Sequence, residues 1–384
     1  MEFQYLEDHR YDGLRSGESS AAALRDGGIL LLYSAFRGGG HADHSPAEIW
    51  ARRSPDGVAW TPPLPVFRVP EGALNVSSPS LLRLLDGRIA CVFAVKWSTT
   101  RCIPHWTASS DEGASWSAPK PMTAHEEYFV INNDRLVQMR DGTLIMPYAC
   151  HRGIVRYAND KELLKDYLNG WCGLLVSDDA GKSWRMPANA RRFEPDWFVE
   201  PSPLRMEGMP DIERRALREK YDVFQEPGVI ELSEGRLLLW VRSLSHIFFS
   251  VSAGVDAPWP DYAAIPGMNV SCSPQTIKRI PDSGELVMLY NDRGTTPFGS
   301  PEFQFRTPLS VAISTDEGCS WSKRGELESD QSRSYCYPSL LFHQGQFLAS
   351  YYESAASRTA EGLPSRRNLA SLKVCRGHPA ELLR

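Results

Sequence analysis

The stretches SSDEGASW (109–116), SDDAGKSW (177–184) and STDEGCSW (314–321) spell one pattern, S-x-D-x-G-x-S-W, three times in a single chain. A shorter form, SPDGVAW, ends at Trp60, and a decayed one, SAGVDAPW, ends at Trp259. Asp and Ser side chains bond nearby backbone N–H groups, Gly accepts a positive φ, and Trp supplies a large apolar anchor. The octapeptide therefore reads as a turn between two strands, a stitch in a repeated architecture rather than a ligand site.

A second repeat surrounds it. Apolar runs flank a Gly-containing turn in AALRDGGILLLY (22–33), LLRLLDGRIACVF (81–93), LVQMRDGTLIMPY (136–148), VIELSEGRLLLWV (229–241), IKRIPDSGELVMLY (277–290) and LLFHQGQFLASYY (340–352). Each is a hairpin signal, and a third strand then leads into the octapeptide turn. Four strands recurring six times predict an all-β fold, a six-bladed β-propeller of four-stranded antiparallel blades filling residues 1–384 as one domain. The first residues are expected to add a strand to the last blade and close the ring. Residues 185–222 form an insertion between the third and fourth blades, in which PDIERRALREK has the Pro, early acids and late bases of a short surface helix.

Composition narrows the function. The 384 residues carry a net charge of -5 without a basic run, so nucleic acid is not the expected partner. No apolar run approaches the roughly 18 to 20 residues of a membrane span. The acidic, mixed start lacks an apolar leader, and eight cysteines without a paired spacing read as free buried thiols. Both point to the cytoplasm.

Propeller geometry turns the starts of the innermost strands and the ends of their partners toward one mouth. The starts carry Ser78, Asn133, Glu226 and Tyr337; the ends carry Arg37, Lys96, His151 with Arg152, Arg242, Asn291 with Arg293, and Tyr352. Apolar strands that finish in polar groups, unit after unit, make a polar cup. His151 and His246 are alternative general bases. His41, Asp43 and His44 in HADH offer metal-ligand chemistry, but no further ligand is in sight, so neither a metal nor a cofactor is expected.

Four further stretches resemble the sialidase (neuraminidase) superfamily: FQEPGVIELSEGRLLLWVR (224–242), FQFRTPLSVAISTDEGCSW (303–321), CYPSLLFHQGQFLASYYE (336–353) and SAFRGGGHADHSPAEIWARRS (34–54). The resemblance implies an exo-glycoside hydrolase removing a terminal acidic sugar from a glycan. Tyr337 would be the nucleophile, Glu226 its base and Asp43 the acid, while Arg37, Arg242 and Arg306 bind the substrate. A sugar with a carboxylate on its anomeric carbon repels a carboxylate nucleophile, and a neutral Tyr beside a Glu avoids that repulsion. The family usually places an Arg on the first innermost strand; here that segment reads GESSAAAL (17–24), and Arg37 is the available substitute. Strand alternation would put Tyr335 on the same face as Tyr337, making it a competing nucleophile. A uronic-acid lyase, a deoxy-sugar glycosidase and a glycan-binding propeller without catalysis are the other readings of the cup.

Overall fold

The computed structural model describes residues 1–38, 42–152, 154–156, 162–164, 169–191, 224–243, 246–260, 262–294, 296, 305–356 and 369–383. All six predicted hairpins are present, and the glycines at their turns, Gly27, Gly87, Gly142, Gly235, Gly284 and Gly345, all have positive φ. Among the described residues there is no α-helix. The helix expected in PDIERRALREK and most of the insertion lie outside the described residues.

Small antiparallel sheets are arranged in a propeller-like fold. The first sheet joins Arg15–Ala23, Ile29–Phe36, Ala47–Ser54 and Leu64–Phe67. Two later sheets join Gln225–Glu231, Leu237–Arg242, His246–Ser252 and Ala263–Asn269, then Thr276–Arg279, Leu286–Tyr290, Leu309–Ser314 and Ser322–Glu328. The last combines Arg333–His343, Gln346–Ala355 and Ser371–Gly377 with the N-terminal strand Glu2–Glu7. Glu2–Glu7 runs antiparallel to Ser371–Gly377, so the chain start does complete the last sheet. The strand Arg15–Ala23 touches both Asn75–Arg83 and Arg333–His343, which brings the two ends of the chain together around the centre.

Six separate blades are not what is found. Four separate four-stranded sheets stand beside one eight-stranded sheet that holds the second and third hairpins. The fusion has a local cause. Tyr128–Val130 pairs antiparallel with Ala149–His151 and, through Tyr128, parallel with Cys102, bridging two hairpins that would otherwise end separately.

The repeated octapeptide holds neighbouring units together. Asp111 Oδ1 accepts from Ser109 Oγ at 2.8 Å and from the Ser115 amide at 2.8 Å, and the Gly113 amide donates to Ser109 Oγ at 2.7 Å. Asp179 and Asp316 repeat the same bonds with Ser177 and Ser183 and with Ser314 and Ser320. The Trp of each turn then reaches the preceding unit: Trp116 meets Phe67 at 5.4 Å, Trp184 meets Trp106 at 5.2 Å, and Trp321 meets Phe249 at 6.1 Å. Each such aromatic pair contributes about 0.5–1.5 kcal/mol beyond its buried area. Glu112 adds an ionic tie, accepting from Arg83 of its own sheet and from the Arg25 amide of the first.

Hydrogen bonds from Ser115 hold the Asp111 carboxyl at about 2, and those from Ser183 do the same for Asp179. A carboxyl lowered by folding stabilises the fold above its ordinary value of 3.8, and that contribution disappears as pH falls toward about 2. Asp111→Ala is accordingly expected to lower Tm at neutral pH, with the difference from wild type vanishing in that acid window. Turnover per folded molecule should be unchanged; lost turnover with a normal melt would contradict the stitching role.

The floor of the centre is tied by Asp134. Its carboxylate accepts from Ser20 Oγ and Lys278 Nζ, each at 3.1 Å, and from the Leu340 amide at 3.0 Å, so one buried side chain connects four units. Arg135 beside it donates to Thr276 Oγ1 at 3.0 Å and lies 5.6 Å from the Trp240 ring. What sits above Asp134 and Arg135 is therefore built on a fixed base.

Candidate active site

Four innermost strands carry the same irregularity. Pairing registers shift between Gly17 and Ser20, Ser77 and Ser80, Gln225 and Gly228, and Cys336 and Ser339. Inside each shift one non-glycine residue has positive φ: Glu18 at 47°, Ser78 at 57°, Glu226 at 45° and Tyr337 at 54°. Such conformations cost about 1–3 kcal/mol each and persist where the surroundings over-determine them. The extra residue also breaks the two-residue alternation of the strand. That is why Tyr335 and Tyr337 do not share a face. Tyr335 is buried in the core edge-on to Tyr351, at 6.0 Å, while the Tyr337 hydroxyl meets Glu226.

Three predicted residues come together at the centre. The Tyr337 hydroxyl donates to Glu226 Oε1 at 2.9 Å, and Arg242 donates to Glu226 Oε2 at 2.5 Å. Arg242 also lies 3.4 Å from the Tyr337 hydroxyl, and its other terminal nitrogen reaches the Cys272 carbonyl at 3.3 Å. Burial and then the Glu226 charge push the Tyr337 phenol well above its ordinary value, against the pull of Arg242 and Arg306. The phenol is thus neutral at rest, with its proton aimed at a carboxylate. Burial opposes the charge on Arg242, but Cys272, Glu226 and Tyr337 outweigh it and hold the guanidinium ionised.

Arg306 joins from the next sheet. Its guanidinium lies 5.9 Å from the Tyr337 ring, and its carbonyl accepts from the Tyr335 amide at 2.7 Å. Asn291 and Arg293, predicted as cup residues, brace this approach by donating to the carbonyls of Pro308 and Thr307.

Asp43 lies on an exposed loop whose position is fixed from the second hairpin. Its carbonyl accepts from Lys96 Nζ at 2.7 Å and from Asn75 Nδ2 at 3.0 Å, and Asn75 also holds the Ser45 carbonyl at 2.9 Å. His41 of the same loop lies outside the described residues. Among the described residues no group of three or more His, Cys, Asp or Glu is placed to hold a metal.

Arg37 is not brought into this cluster. Its guanidinium lies 4.4 Å from the Trp50 ring and 3.7 Å from Glu7, on the side of the first sheet that meets the N-terminal strand. An arginine nearer the centre escapes a count of registers. Arg15 begins the first innermost strand, is only 2% exposed, and stacks on its cross-strand partner Phe36 with 3.4 Å between guanidinium carbon and ring centroid. Burial opposes its charge, but Tyr352, Glu18, Asp43 and Tyr337 together hold it ionised. Tyr352 packs edge-on to Tyr337 at 6.0 Å, and a Cβ on Gly17 would lie 2.3 Å from the Tyr352 ring. A glycine is required there for that ring to fit. His151 and His246 are elsewhere, edge-on to Tyr128 and Phe248. Arg152 is stacked on Trp171 at 5.4 Å.

The arrangement has a defined chemical capacity. A phenol next to a carboxylate can lose its proton as it attacks, a buried and a half-buried guanidinium group can receive an anion, and an exposed acid on a tethered loop can exchange a proton with a leaving group.

Comparison with known proteins agrees with the propeller-like fold. Residues 30–348 match the family described as BNR repeat-like domain. Among solved structures, a protein of unknown function from Dyadobacter fermentans is 17% identical with a TM-score of 0.62, covering 98% of this chain and 99% of that one. The Hadza microbial sialidase Hz136 is 14% identical with a TM-score of 0.66, covering 96% of this chain and 66% of its own. The leech intramolecular trans-sialidase, complexed with 2,7-anhydro-Neu5Ac, is 14% identical with a TM-score of 0.65, covering 100% of this chain and 70% of its own. The chain thus spans about two thirds of the length of these two sialidases. No curated protein matches it in sequence. Among the described residues no helix is long and apolar enough to cross a membrane.

Proposed function

We infer, for a chain that belongs to the sialidase/BNR-repeat superfamily, that the central cup is the active site of an exo-glycoside hydrolase acting on a terminal acidic sugar of the sialic or related nonulosonic type. The observation that carries this reading is the Tyr337–Glu226–Arg242 contact set. Tyr337 oxygen attacks the anomeric carbon while Glu226 takes the phenol proton. Asp43 gives its proton to the departing glycosidic oxygen as that bond breaks. Water then attacks the same carbon, Asp43 takes the water proton, and Glu226 returns its proton to the departing Tyr337 oxygen. Arg242 and Arg306 hold the sugar carboxylate, with Arg15 in place of the expected Arg37. In this reading the eight-stranded sheet serves as two blades, giving the six-bladed propeller that the hairpin count calls for. The seven buried free cysteines favour a reducing compartment, the cytoplasm.

Release of a fluorophore from a panel of α-sialosides and neutral glycosides tests the proposal, with cleavage confined to the acidic sugars as the expected result. Cleavage of neutral glycosides alone, or an unsaturated product of elimination, would overturn it. Asp43→Asn sharpens the test. Substrates with poor leaving groups should lose about 10²–10⁴-fold in rate, and those with highly activated leaving groups should lose little, since they need no protonation. Equal losses on both would leave Asp43 without an acid role.

A further inference from the structure

Glu18 occupies the same irregular position on the first innermost strand that Glu226 and Tyr337 occupy on theirs, with the same positive φ inside the same kind of register shift. Two of these three side chains meet across the centre, so the first sheet presents a carboxyl at the level of the reacting groups. The strand's arginine, Arg15, lies three residues earlier, and the irregular position itself holds the carboxyl. Among the described residues the Glu18 carboxyl makes one hydrogen bond, accepting from Ser78 Oγ at 2.7 Å, and no ion pair within 4.0 Å. Next to it the Tyr352 hydroxyl is buried, with no hydrogen-bond partner among the described residues.

We propose that Glu18 is a specificity-determining residue of the cup, contacting the substrate's acidic group as a hydrogen-bond donor in its carboxylic-acid form. This rests on the acidic-sugar reading above. An anion seated on Arg242 and Arg306 brings a second negative charge beside Glu18. Two carboxylates sharing a site cannot both remain ionised, so one proton is taken up with the ligand. Once protonated, Glu18 becomes a donor to the anion, adding a neutral contact to those of Arg242, Arg306 and Arg15.

The surroundings favour such a proton. Burial pushes the Glu18 carboxyl upward and Asp43 adds to the rise, while Arg15 on its own strand, the Ser78 hydroxyl and Lys96 of the second hairpin oppose it. From the last sheet, Tyr337, Tyr352 and Cys336 face it as neutral groups, each pushed up first by burial. Substrates whose acidic group is esterified or amidated are excluded by the paired guanidinium groups, and dianions are excluded by Glu18. A monoanionic sugar acid is the class that fits.

The test is binding of 2-deoxy-2,3-dehydro-N-acetylneuraminic acid, which is not hydrolysed, measured by calorimetry across about pH 5 to 9 in wild type, Glu18→Gln and Asp43→Asn. Wild type and Asp43→Asn should lose close to tenfold in affinity per pH unit above the free Glu18 value, with one proton taken up per ligand. Glu18→Gln keeps a donor of the same size and should bind with no such slope and no proton uptake. Binding that follows the same slope in wild type and Glu18→Gln, or a flat wild-type profile, overturns the role of Glu18 and leaves the acidic-sugar reading intact. No binding at any pH in any of the three proteins overturns both.

Discussion

Tyr337→Phe is expected to lower turnover by at least about 10³-fold, equivalent to about 4 kcal/mol of transition-state stabilisation, while substrate binding changes little. The substitution deletes one oxygen and leaves the ring in its edge-on contact with Tyr352. The guanidinium groups of Arg242 and Arg306 stay in place, so the seat proposed for the acidic group is retained. What disappears is the phenol oxygen that attacks and then leaves in the proposed mechanism. A Phe variant with an unchanged kcat would remove the nucleophile from the account and leave a binding or eliminating cup. Rapid pre-steady-state mixing would show the same effect as a lost burst of released aglycone.

Changing Glu226 should have the second-largest effect, and it has two readouts that separate catalysis from support. As the base for Tyr337 it is expected to contribute about 10²–10⁴-fold to turnover, a range typical of positioned proton transfer. It is also the buried counterion of Arg242, at 2.5 Å. Removing one partner of a buried pair leaves a charge without compensation and costs about 3–5 kcal/mol. Glu226→Met should therefore lower both turnover and Tm substantially. Glu226→Gln keeps an acceptor for Arg242 and should recover most of the Tm without recovering turnover. Parallel recovery of both in the Gln variant would reduce Glu226 to a support for Arg242.

Much of this site was legible in the sequence because repetition aligns it. Six Gly turns fix the hairpins, the hairpins fix the register, and the register singles out Glu226, Arg242 and Tyr337 as strand ends facing one mouth. The octapeptide was legible for the same reason: its side chains bond within their own turn, so no distant residue is needed to read it. The failures share a different cause. Tyr128–Val130 joins two hairpins through one parallel contact at Cys102, and three residues without a turn signal say nothing about that partner. A bulge of one residue separates Tyr335 from Tyr337, and strict alternation hides it. Arg15 lies three residues before the bulge at Glu18, so a search for arginine at the bulge itself passes over it. Its place depends on stacking against Phe36, a cross-strand contact. Arg37 follows Phe36 directly and turns to Glu7 and Trp50 instead, because the N-terminal strand supplies a carboxylate on that side.

The central claim is covalent: Tyr337 oxygen bonds to the anomeric carbon of an acidic sugar. Incubation with 2,3-difluorosialic acid, followed by proteolysis and peptide mass spectrometry, tests it most directly. A fluorosugar adduct on the peptide containing Tyr337, absent from the Tyr337→Phe variant, is the predicted result. An adduct on Glu226, Asp43 or Tyr335, or sustained hydrolysis of sialosides by an enzyme that never becomes labelled, would contradict it.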